Sequence, residues 1–335
     1  MSSNKKVFLV TGAAGFIGSH MVDYLLKKNF NVIGVDNLKN GMLSNVKHNL
    51  KNKNFKFFKD DILNFNNSKK KIKSIDYLLH FAGLGDVVPS IENPNLYLEQ
   101  NIIGTSCVFD IARKFNVKKF VYAASSSCYG LNSSKISEKE KISIEHPYAL
   151  SKYLGEYVAF SLSKIFNIPT NSIRIFNAYG PRVRSNSNYG AVFGVFFKQK
   201  ISNKPLTVVG DGNQKRDYIY VTDVCDAFYK CAISKYKNET FNLGTGHPKK
   251  INYLVKLIDS KTERLPWRPG EPRVTWANVK KIKSYLGWKP KVTFKEGVKL
   301  MLNNIEYWNK APLWTKKKIK KATTVWFKTL NDKKK

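Results

Sequence analysis

Two side chains with complementary acid–base chemistry, Tyr148 and Lys152, lie four residues apart in a predicted helix that begins after Pro147. Residues at this spacing share one face of a helix. A phenol has a pKa of about 10, but an ammonium about 4 Å away would lower that pKa by roughly three units. We therefore expect Tyr148 to be a catalytic base that Lys152 activates. The same spacing also occurs on solvent-exposed helix faces, which leaves a structural role open.

A run of serines precedes this helix. Ser125, Ser126 and Ser127 lie at the end of a predicted strand over 118–126. Doubly wound sheets bind their ligands at the carboxyl ends of the strands. We expect the Ser125 hydroxyl to hold a substrate oxygen there.

Three glycines near the start of the chain indicate a phosphate-binding turn. Gly12, Gly15 and Gly18 lie between a predicted strand over 6–10 and a helical pattern that starts at Phe16. Backbone amides at a helix N-terminus can approach a pyrophosphate, although such a turn can also serve only helix–strand packing.

Asp36 ends the second predicted strand, where its carboxylate could accept hydrogen bonds from a ribose diol. An acid at this place would repel a 2′-phosphate, so the sequence favours NAD over NADP. The alternative is a turn-forming role in the pair Asp36 and Asn37.

Predicted strands alternate with helices in the first half of the chain, which indicates parallel pairing and right-handed crossovers. The predicted strands are 6–10, 31–36, 55–58, 75–83, 118–126 and 169–177, and a strong helical pattern covers 148–166. We predict an α/β fold, a doubly wound parallel Rossmann-type sheet with a smaller, mixed C-terminal substrate-binding lobe. The expected parts are an NAD-binding domain at 1–177 with 218–246 interleaved, a substrate-binding lobe at 178–217 and 247–310, and a basic C-terminal segment at 311–335.

The chain has 335 residues, of which 42% are hydrophobic, and this excludes a disulfide-stapled mini-protein or a disordered tail. Lysine and arginine number 58 against 24 acids, a net charge of +34. Such a surplus suggests nucleic acid or an anionic membrane as a partner. No zinc-finger spacing, RNP-type aromatic run or heptad-bearing basic region accompanies the charge, so we expect no nucleic-acid binding.

Cys107, Cys128, Cys225 and Cys231 lie in apolar or helical contexts without a CxxC pair, and we expect them to be reduced. The histidines lack metal-ligand spacing, so we expect no metal and interpret His80 as a core histidine. The apolar run VFLV is too short for a signal peptide, and no run approaches the length of a membrane span. We expect a soluble, cytoplasmic protein.

These motifs together resemble the extended short-chain dehydrogenase/reductase family, particularly its nucleotide-sugar epimerases. The resemblance covers about residues 5–310 and adds the segment HFAG at 80–83 to the motifs above. It implies an NAD-dependent epimerase of the UDP-glucose or UDP-N-acetylglucosamine type, with uronic relatives left open, which inverts carbon 4 through a transient 4-keto sugar. Ser125, Tyr148 and Lys152 are then the catalytic set.

The resemblance leaves two alternatives and implies an assembly. One alternative is another nucleotide-sugar modifying enzyme, such as a decarboxylase or reductase, and the other is a non-catalytic NAD-binding scaffold on an anionic surface. The implied assembly is a homodimer built on helices from 92–115 and 148–166.

The resemblance also implies which residues contact NAD. Asp61 and Ile62 would flank the adenine, Phe176 would touch the nicotinamide region, and Asn101 would lie on the helix beneath the cofactor. The full implied set is Gly12, Gly15, Phe16, Ile17, Gly18, Asp36, Asn37, Asp61, Ile62, Phe81, Ala82, Gly83, Asn101, Tyr148, Lys152 and Phe176.

Two later segments, at 208–224 and 268–273, resemble the family's UDP-binding segments. Each supplies an arginine, Arg216 and Arg268, whose forked guanidinium suits paired phosphate oxygens. The implied substrate-binding set is Ser125, Ser126, Asn177, Ala191, Val192, Val208, Arg216, Arg268, Glu271 and Thr275.

The identity of the sugar is less determined. Gly85 and Ile175 stand where many galactose-type members have lysine and tyrosine. No acid follows Ser126 and Ser127, which argues against a 4,6-dehydratase. Thr275 resembles the family's gatekeeper position, where a small residue leaves space for a 2-acetamido group, so we expect acetylated UDP-hexoses to be accepted.

The C-terminal segment 310–335 carries ten lysines and one acid. Ile319, Ala322, Trp326 and Leu330 recur at helical spacing, so a helix there would be amphipathic and basic. We expect the apolar stripe to pack on the second lobe. Docking on an anionic membrane surface is the alternative.

Overall fold

A computed structural model describes residues 5–65, 72–183 and 192–331. The strands are β1 (Val7–Thr11), β2 (Asn31–Asp36), β3 (Phe55–Lys59), β4 (Tyr77–His80), β5 (Lys119–Ser125), β6 (Thr170–Ile175), β7 (Asn177–Tyr179), β8 (Leu206–Val209), β9 (Lys215–Arg216), β10 (Tyr218–Tyr220), β11 (Glu239–Leu243), β12 (Lys249–Lys250) and β13 (Thr262–Leu265). The α-helices are α1 (Phe16–Lys27), α2 (Val87–Glu92), α3 (Pro94–Leu98), α4 (Gly104–Lys114), α5 (Pro147–Phe166), α6 (Val192–Ile201), α7 (Val221–Ile233), α8 (Ile251–Ile258), α9 (Lys280–Leu286), α10 (Phe294–Leu302), α11 (Lys316–Ala322) and α12 (Thr324–Asn331). Short 3₁₀ turns include Ile62–Asn64, Ser126–Tyr129 and Ile305–Trp308, and a π-helical turn covers Glu99–Ile103.

Seven strands form one parallel sheet in the order β3-β2-β1-β4-β5-β6-β11. From β1 the chain builds outward through β2 and β3, and it then returns to place β4 on the other side of β1. This reversal creates a switch point between β1 and β4, where the carboxyl ends of the strands open a crevice. The predicted doubly wound α/β fold is confirmed.

Helices cover both faces of this sheet, which is why its central strands are apolar on both sides. On one face, Phe8 and Val10 of β1 pack with Met21 of α1 and Phe228 of α7. On the other face, Leu9 packs with core residues of α4 and α5. This alternation follows from the two-residue period of a strand and holds β1 rigidly behind the crevice.

The second lobe has a separate core, in which α6, α8 and α10 pack with β7, β8 and β10. The small strands pair two by two, as β7–β10, β9–β12 and β8–β13. Phe197 and the fully buried Trp308 contact each other in this core, with ring centroids 4.8 Å apart. The chain returns to the large sheet after β10, because α7 packs on α1 and β11 pairs with β6. The two lobes are therefore interleaved in sequence.

The predicted strand at 169–177 is two strands in different sheets. β6 ends at Ile175, and Phe176 turns away from it while its N–H donates to the Leu243 carbonyl at 2.9 Å. β7 then begins at Asn177 and pairs with β10. This break directs Phe176 and Asn177 to the crevice.

Among the described residues, no helix is long and apolar enough to cross a membrane. The same part of the chain contains no group of His, Cys, Asp or Glu side chains that could hold a metal ion. The cysteines are free thiols, and those at 128, 225 and 231 are buried.

Candidate active site

A cleft of about 820 Å³ opens where the carboxyl ends of the large sheet face the second lobe. Its volume is within the roughly 300–1,000 Å³ of small-molecule sites. One wall comes from the turns after β1, β2, β4, β5 and β6, and the other includes Val192 of α6, Arg216 of β9 and the segment around Arg268. Ligands of doubly wound sheets bind in such a crevice, so we take this cleft as the candidate active site.

At one end of the cleft, the backbone of the glycine turn lies close to the backbone of the loop at 81–83. Gly12 has a left-handed φ of +67°, and a Cβ there would lie 2.8 Å from the backbone nitrogen of Ala82. A Cβ on Gly18 would overlap the Gly12 carbonyl oxygen. Gly15 is the N-cap of α1, and none of the described side chains caps this helix. The first amides of α1, from Phe16 onward, are therefore available to an anion in the cleft.

Asp36 lines the cleft at the end of β2, with most of its side chain buried. Its oxygens accept hydrogen bonds from the backbone amides of Ala14 at 2.9 Å and Leu38 at 2.8 Å. Burial raises the pKa of Asp36, and these amide hydrogen bonds oppose the rise. The carboxylate thus fixes the glycine turn, as the turn-forming alternative suggested, and it also lies where a ribose could reach it.

Asp61 lies directly behind the cleft wall, and its predicted contact with the adenine stays a prediction. Its carboxylate caps the turn Ile62–Asn64 and accepts a hydrogen bond at 2.9 Å from Asn37, which does line the cleft. The neighbours Asp60 and Ile62 face the cleft instead. Sequence reasoning missed Asp60 because the motif gives the segment but not the direction in which each carboxylate points.

Ser125 and Tyr148 both line the cleft, and the Ser125 hydroxyl is near enough to the Tyr148 phenol to influence its pKa. Ser125 is the last residue of β5, and Tyr148 is the second residue of α5. The ring of His146 caps α5 by accepting a hydrogen bond from the Ala149 amide at 3.2 Å. The end of a buried strand and a capped helix N-terminus therefore hold the two hydroxyls together.

The pKa of Tyr148 is raised, whereas the four-residue spacing predicted that Lys152 would lower it. Burial is the main cause, the nearby Ser125 hydroxyl opposes it, and the charge of Asp86 adds to the rise. Burial also lowers the pKa of Lys152 to about 7. Both groups are held toward their neutral forms because a buried site disfavours charge. Phenolate formation here thus requires additional positive charge in the cleft.

Lys152 enters the cleft beneath the loop at 81–83. Its Nζ lies 4.3 Å from the centroid of the Tyr122 ring and would lie 3.9 Å from a Cβ on Gly83. Gly155 allows this close approach of α5 to β5, because a Cβ there would overlap the Tyr122 hydroxyl. The depth of the lysine is therefore set by helix–strand packing.

Asn101 lies in the π-helical turn between α3 and α4 and does not line the cleft itself. Its amide oxygen accepts from the Leu84 N–H at 2.8 Å, and its amide nitrogen donates to the Leu84 carbonyl at 3.0 Å and to Ser151 Oγ at 2.8 Å. These contacts fix Leu84, the residue directly after the loop at 81–83, and link it to α5. The position beneath the cleft agrees with the one that the resemblance implied, but the residue acts here by supporting the loop.

His80 is fully buried, and both ring nitrogens are hydrogen-bonded. Nδ1 lies 2.7 Å from the Thr11 hydroxyl, and Nε2 lies 3.1 Å from the Thr105 hydroxyl. Burial lowers the pKa of His80 to about 3, so the ring is neutral. The interpretation of His80 as a core histidine is confirmed.

Arg216, Arg268 and Glu271 line the cleft on the side of the second lobe. Arg216 Nη2 donates to Glu271 Oε1 at 2.7 Å, and its Nη1 donates to the Pro272 carbonyl at 2.8 Å. Arg268 Nη1 lies 3.9 Å from the other Glu271 oxygen. Two guanidinium groups with one carboxylate leave a net positive charge, which suits a diphosphate.

Thr275 lies behind the cleft wall and does not line it, contrary to the simplest form of the gatekeeper expectation. Its hydroxyl donates to Asn177 Oδ1 at 2.7 Å and accepts from the Asp217 amide at 3.0 Å. Asn177 itself lines the cleft. The size of the residue at 275 therefore acts on the cleft through Asn177.

Residues 9–301 match the family described as GDP-mannose 4,6 dehydratase. The chain belongs to this family of extended short-chain dehydrogenase/reductases. A relative, the UDP-glucuronate 4-epimerase of Thermodesulfobacterium geofontis, is 33% identical over 93% of this chain and 99% of its own length.

Solved structures of other members are similar to this extended short-chain dehydrogenase/reductase over nearly their whole length. The UDP-glucuronic acid 4-epimerase from Bacillus cereus, in complex with UDP-glucuronic acid and NAD, has a TM-score of 0.83 and 30% identity and covers 90% of this chain and 99% of that one. The UDP-N-acetylglucosamine 4-epimerase from Methanobrevibacter ruminantium, in complex with UDP-N-acetylmuramic acid, has a TM-score of 0.83 and 31% identity with the same coverage.

Most residues predicted for this extended short-chain dehydrogenase/reductase site meet in the one cleft. Those lining it are Gly12, Gly15, Phe16, Ile17, Gly18, Asp36, Asn37, Ile62, Phe81, Ala82, Gly83, Ser125, Tyr148, Lys152, Phe176, Asn177, Val192, Arg216, Arg268 and Glu271. Ser126 does not line the cleft, because it turns into a 3₁₀ turn after β5. Val208 is fully buried in the second core, and its neighbours Thr207 and Val209 face the cleft, since side chains alternate along β8. Ala191 lies outside the described residues.

Sequence reasoning also missed Asp86, Leu96 and Gln100, which line the cleft. They belong to the segment after β4, which contains α2 and α3. A usable signal was present, because the chain leaves β4 at the same sheet edge as Ser125. The HFAG motif marks the start of this segment but not its extent.

Proposed function

We propose that this protein is an NAD-dependent epimerase that inverts carbon 4 of a UDP-sugar. The observation that carries the proposal is that Ser125, Tyr148 and Lys152 line the same cleft as Arg216 and Arg268. This arrangement joins a proton acceptor for a sugar hydroxyl to cationic groups for a diphosphate. The similarity to 4-epimerases of UDP-sugars, including one bound to NAD, supports it.

The cofactor half of the cleft fits NAD in chemistry and shape. The glycine turn presents uncapped amides at the N-terminus of α1, which suits a pyrophosphate. A Cβ on Gly12 or Gly18 would clash with neighbouring backbone atoms, so these glycines keep the turn compact and leave room beside it. Asp36 offers a carboxylate to the ribose diol and disfavours a 2′-phosphate.

When bound, oxidised NAD supplies a hydride acceptor for carbon 4 and the positive charge that the buried phenol lacks. Tyr148 Oη then accepts the proton of the sugar 4-hydroxyl and returns it to the oxygen after inversion. The Ser125 hydroxyl holds the same sugar oxygen and orients it toward the phenol. Lys152, in its ammonium form, stabilises the phenolate.

The substrate half holds the nucleotide and selects the sugar. Arg216 and Arg268 bind the diphosphate, and Asn177 contacts it from the sheet side. The sugar lies between Asn177 and Ser125, and Thr275 supports that wall from behind. We propose the UDP-glucose and UDP-N-acetylglucosamine pairs as substrates, with uronic relatives as further candidates.

Product analysis tests the function directly. The protein is incubated separately with UDP-glucose, UDP-N-acetylglucosamine and UDP-glucuronic acid, and the products are resolved by NMR. We expect an equilibrium mixture of 4-epimers from at least one sugar without net NADH. A pentose product would identify a decarboxylase. Tight NAD binding with no turnover of any sugar would favour a scaffold.

We further propose that the protein is a homodimer. The helices within 92–115 and 148–166 expose the large apolar side chains of Ile103, Tyr157 and Ile165. A second copy packed on these helices would remove that apolar surface from water. Light scattering should give about twice the mass of one chain.

We also propose a cytoplasmic location. The free state of the cysteines, three of them buried beneath the surface, suits a reducing compartment. Cell fractionation of the expressed protein tests this point.

A further inference from the structure

The helices α11 and α12 lie beyond the family match, which ends at residue 301. α11 is anchored on the second lobe, where Ile319 is buried with Val209 and Leu265. Lys316 Nζ also lies 3.3 Å from Glu263. The predicted apolar stripe therefore faces the protein and leaves the lysines of α11 in solvent.

α12 contacts the turn that lies between two cleft residues. Trp326 Nε1 donates to the Pro269 carbonyl at 2.7 Å. Leu330 is 5% exposed and lies against Gly270, where a Cβ would come within 2.8 Å of Leu330 Cδ1. Gly270 has a left-handed φ of +70°, so this turn adopts a conformation that most side chains disfavour. One hydrogen bond and one apolar contact thus hold it from outside the cleft.

The two ends of this turn are Arg268 and Glu271, which both line the cleft. Glu271 in turn binds Arg216 at 2.7 Å. A displacement at Pro269 or Gly270 would therefore move the carboxylate that orients Arg216 and would move Arg268 directly.

α12 also packs on α2. α2 begins directly after Asp86, a residue of the other cleft wall. α12 therefore contacts one element from each wall of the cleft. The family match stops before this helix, so the contact is an addition to the matched part of the fold.

We propose that α12 is a clasp across the substrate side of the cleft and that Trp326 is a positioning residue for the turn from Arg268 to Glu271. By this role it sets the affinity for the diphosphate of a nucleoside diphosphate. The ligand class rests on the proposed function, whereas the positioning of the turn does not.

The test compares wild type with Trp326→Phe, which keeps an aromatic ring but loses the N–H donor. Lys328→Ala, on the exposed side of the same helix, is the matched control. UDP binding is measured by calorimetry, and the amides of 268–273 are followed by hydrogen exchange without nucleotide. We expect the Kd for UDP and the KM of the sugar nucleotide to rise about three- to ten-fold in Trp326→Phe. The kcat and the bound NAD should change less than about two-fold, and exchange in the turn should accelerate.

Leu330→Ala provides a second variant in which the apolar contact is removed, and a similar change is expected. Lys328→Ala should match wild type in every readout. Wild-type UDP affinity and wild-type exchange at 268–273 in both Trp326→Phe and Leu330→Ala would overturn the proposal, even if their melting temperatures fall. If the wild-type protein does not bind UDP, the proposed function fails. Hydrogen exchange in the turn then still decides whether α12 positions it.

Discussion

The side chains of Ser125 and Tyr148 meet in the cleft across the gap between the end of β5 and the start of α5. The two residues come from different elements, and each is fixed by its own element: Ser125 by a fully buried strand, Tyr148 by the capped first turn of a helix. A sugar hydroxyl that reaches this pair meets a donor and an acceptor at once. The consequence is a defined place for the reacting oxygen.

Tyr148→Phe should lower kcat by about 10²–10⁴-fold, because it removes the group that takes the proton of the 4-hydroxyl. UDP binding and NAD content should stay within about two-fold of wild type, since the ring and its packing remain. Tyr157→Phe, on the exposed face of the same helix, is the control and should retain wild-type turnover. Full activity in Tyr148→Phe would exclude Tyr148 as the base.

Lys152→Met should raise the melting temperature of the NAD-free protein near pH 7, and the gain should disappear toward pH 10.5. Burial lowers the folded-state pKa of Lys152 from 10.5 to about 7. Between these two pH values Lys152 carries a proton in the unfolded chain but not in the folded chain. The free energy of unfolding of the wild-type protein therefore rises with pH over this range. Thermal melts from pH 6.5 to 10.5 measure this difference. The exposed Lys164→Met should show no such trend, and a pH-independent difference for Lys152→Met would contradict the prediction.

Denatured wild-type protein should release NAD or NADH and no NADP. Asp36→Asn keeps the size of the side chain and one acceptor for the turn amides but removes the charge, so the preference for NAD over NADP should fall at least several-fold. Titration of both dinucleotides measures the ratio. An unchanged ratio in Asp36→Asn, or NADP in the denatured wild type, would show that Asp36 does not select the cofactor.

Thr275→Tyr should lower kcat/KM for UDP-N-acetylglucosamine relative to UDP-glucose by about ten-fold or more, because the larger residue pushes Asn177 into the space of the acetamido group. Thr275→Val keeps the volume and loses the hydrogen bonds to Asn177 and to the Asp217 amide, so it should leave the ratio of the two sugars close to wild type. Rejection of the acetylated sugar by the wild type would contradict the gatekeeper argument.

Motifs within one strand–turn–helix unit could be predicted in position as well as in type. The cleft is lined, as expected, by the glycine turn, by Asp36 at the end of β2, and by Tyr148 and Lys152 on one face of α5. Their geometry depends on residues a few positions away, because turn conformation, helix spacing and strand alternation are local properties of the backbone. Asp60 shows the limit, because this residue lines the cleft although no local pattern singled it out.

The sequence by itself thus determined the fold class and the placement of the glycine turn, Tyr148 and Lys152 in the cleft. Tertiary structure alone decided the environment of the cleft residues. Burial raises the pKa of Tyr148. Thr275 reaches the cleft only through Asn177, 98 residues away, and Trp326 holds Pro269, 57 residues away. Desolvation and long-range contacts depend on which surfaces meet when the two lobes pack. No local pattern carries that information, because it arises only when distant segments exclude water from the same site.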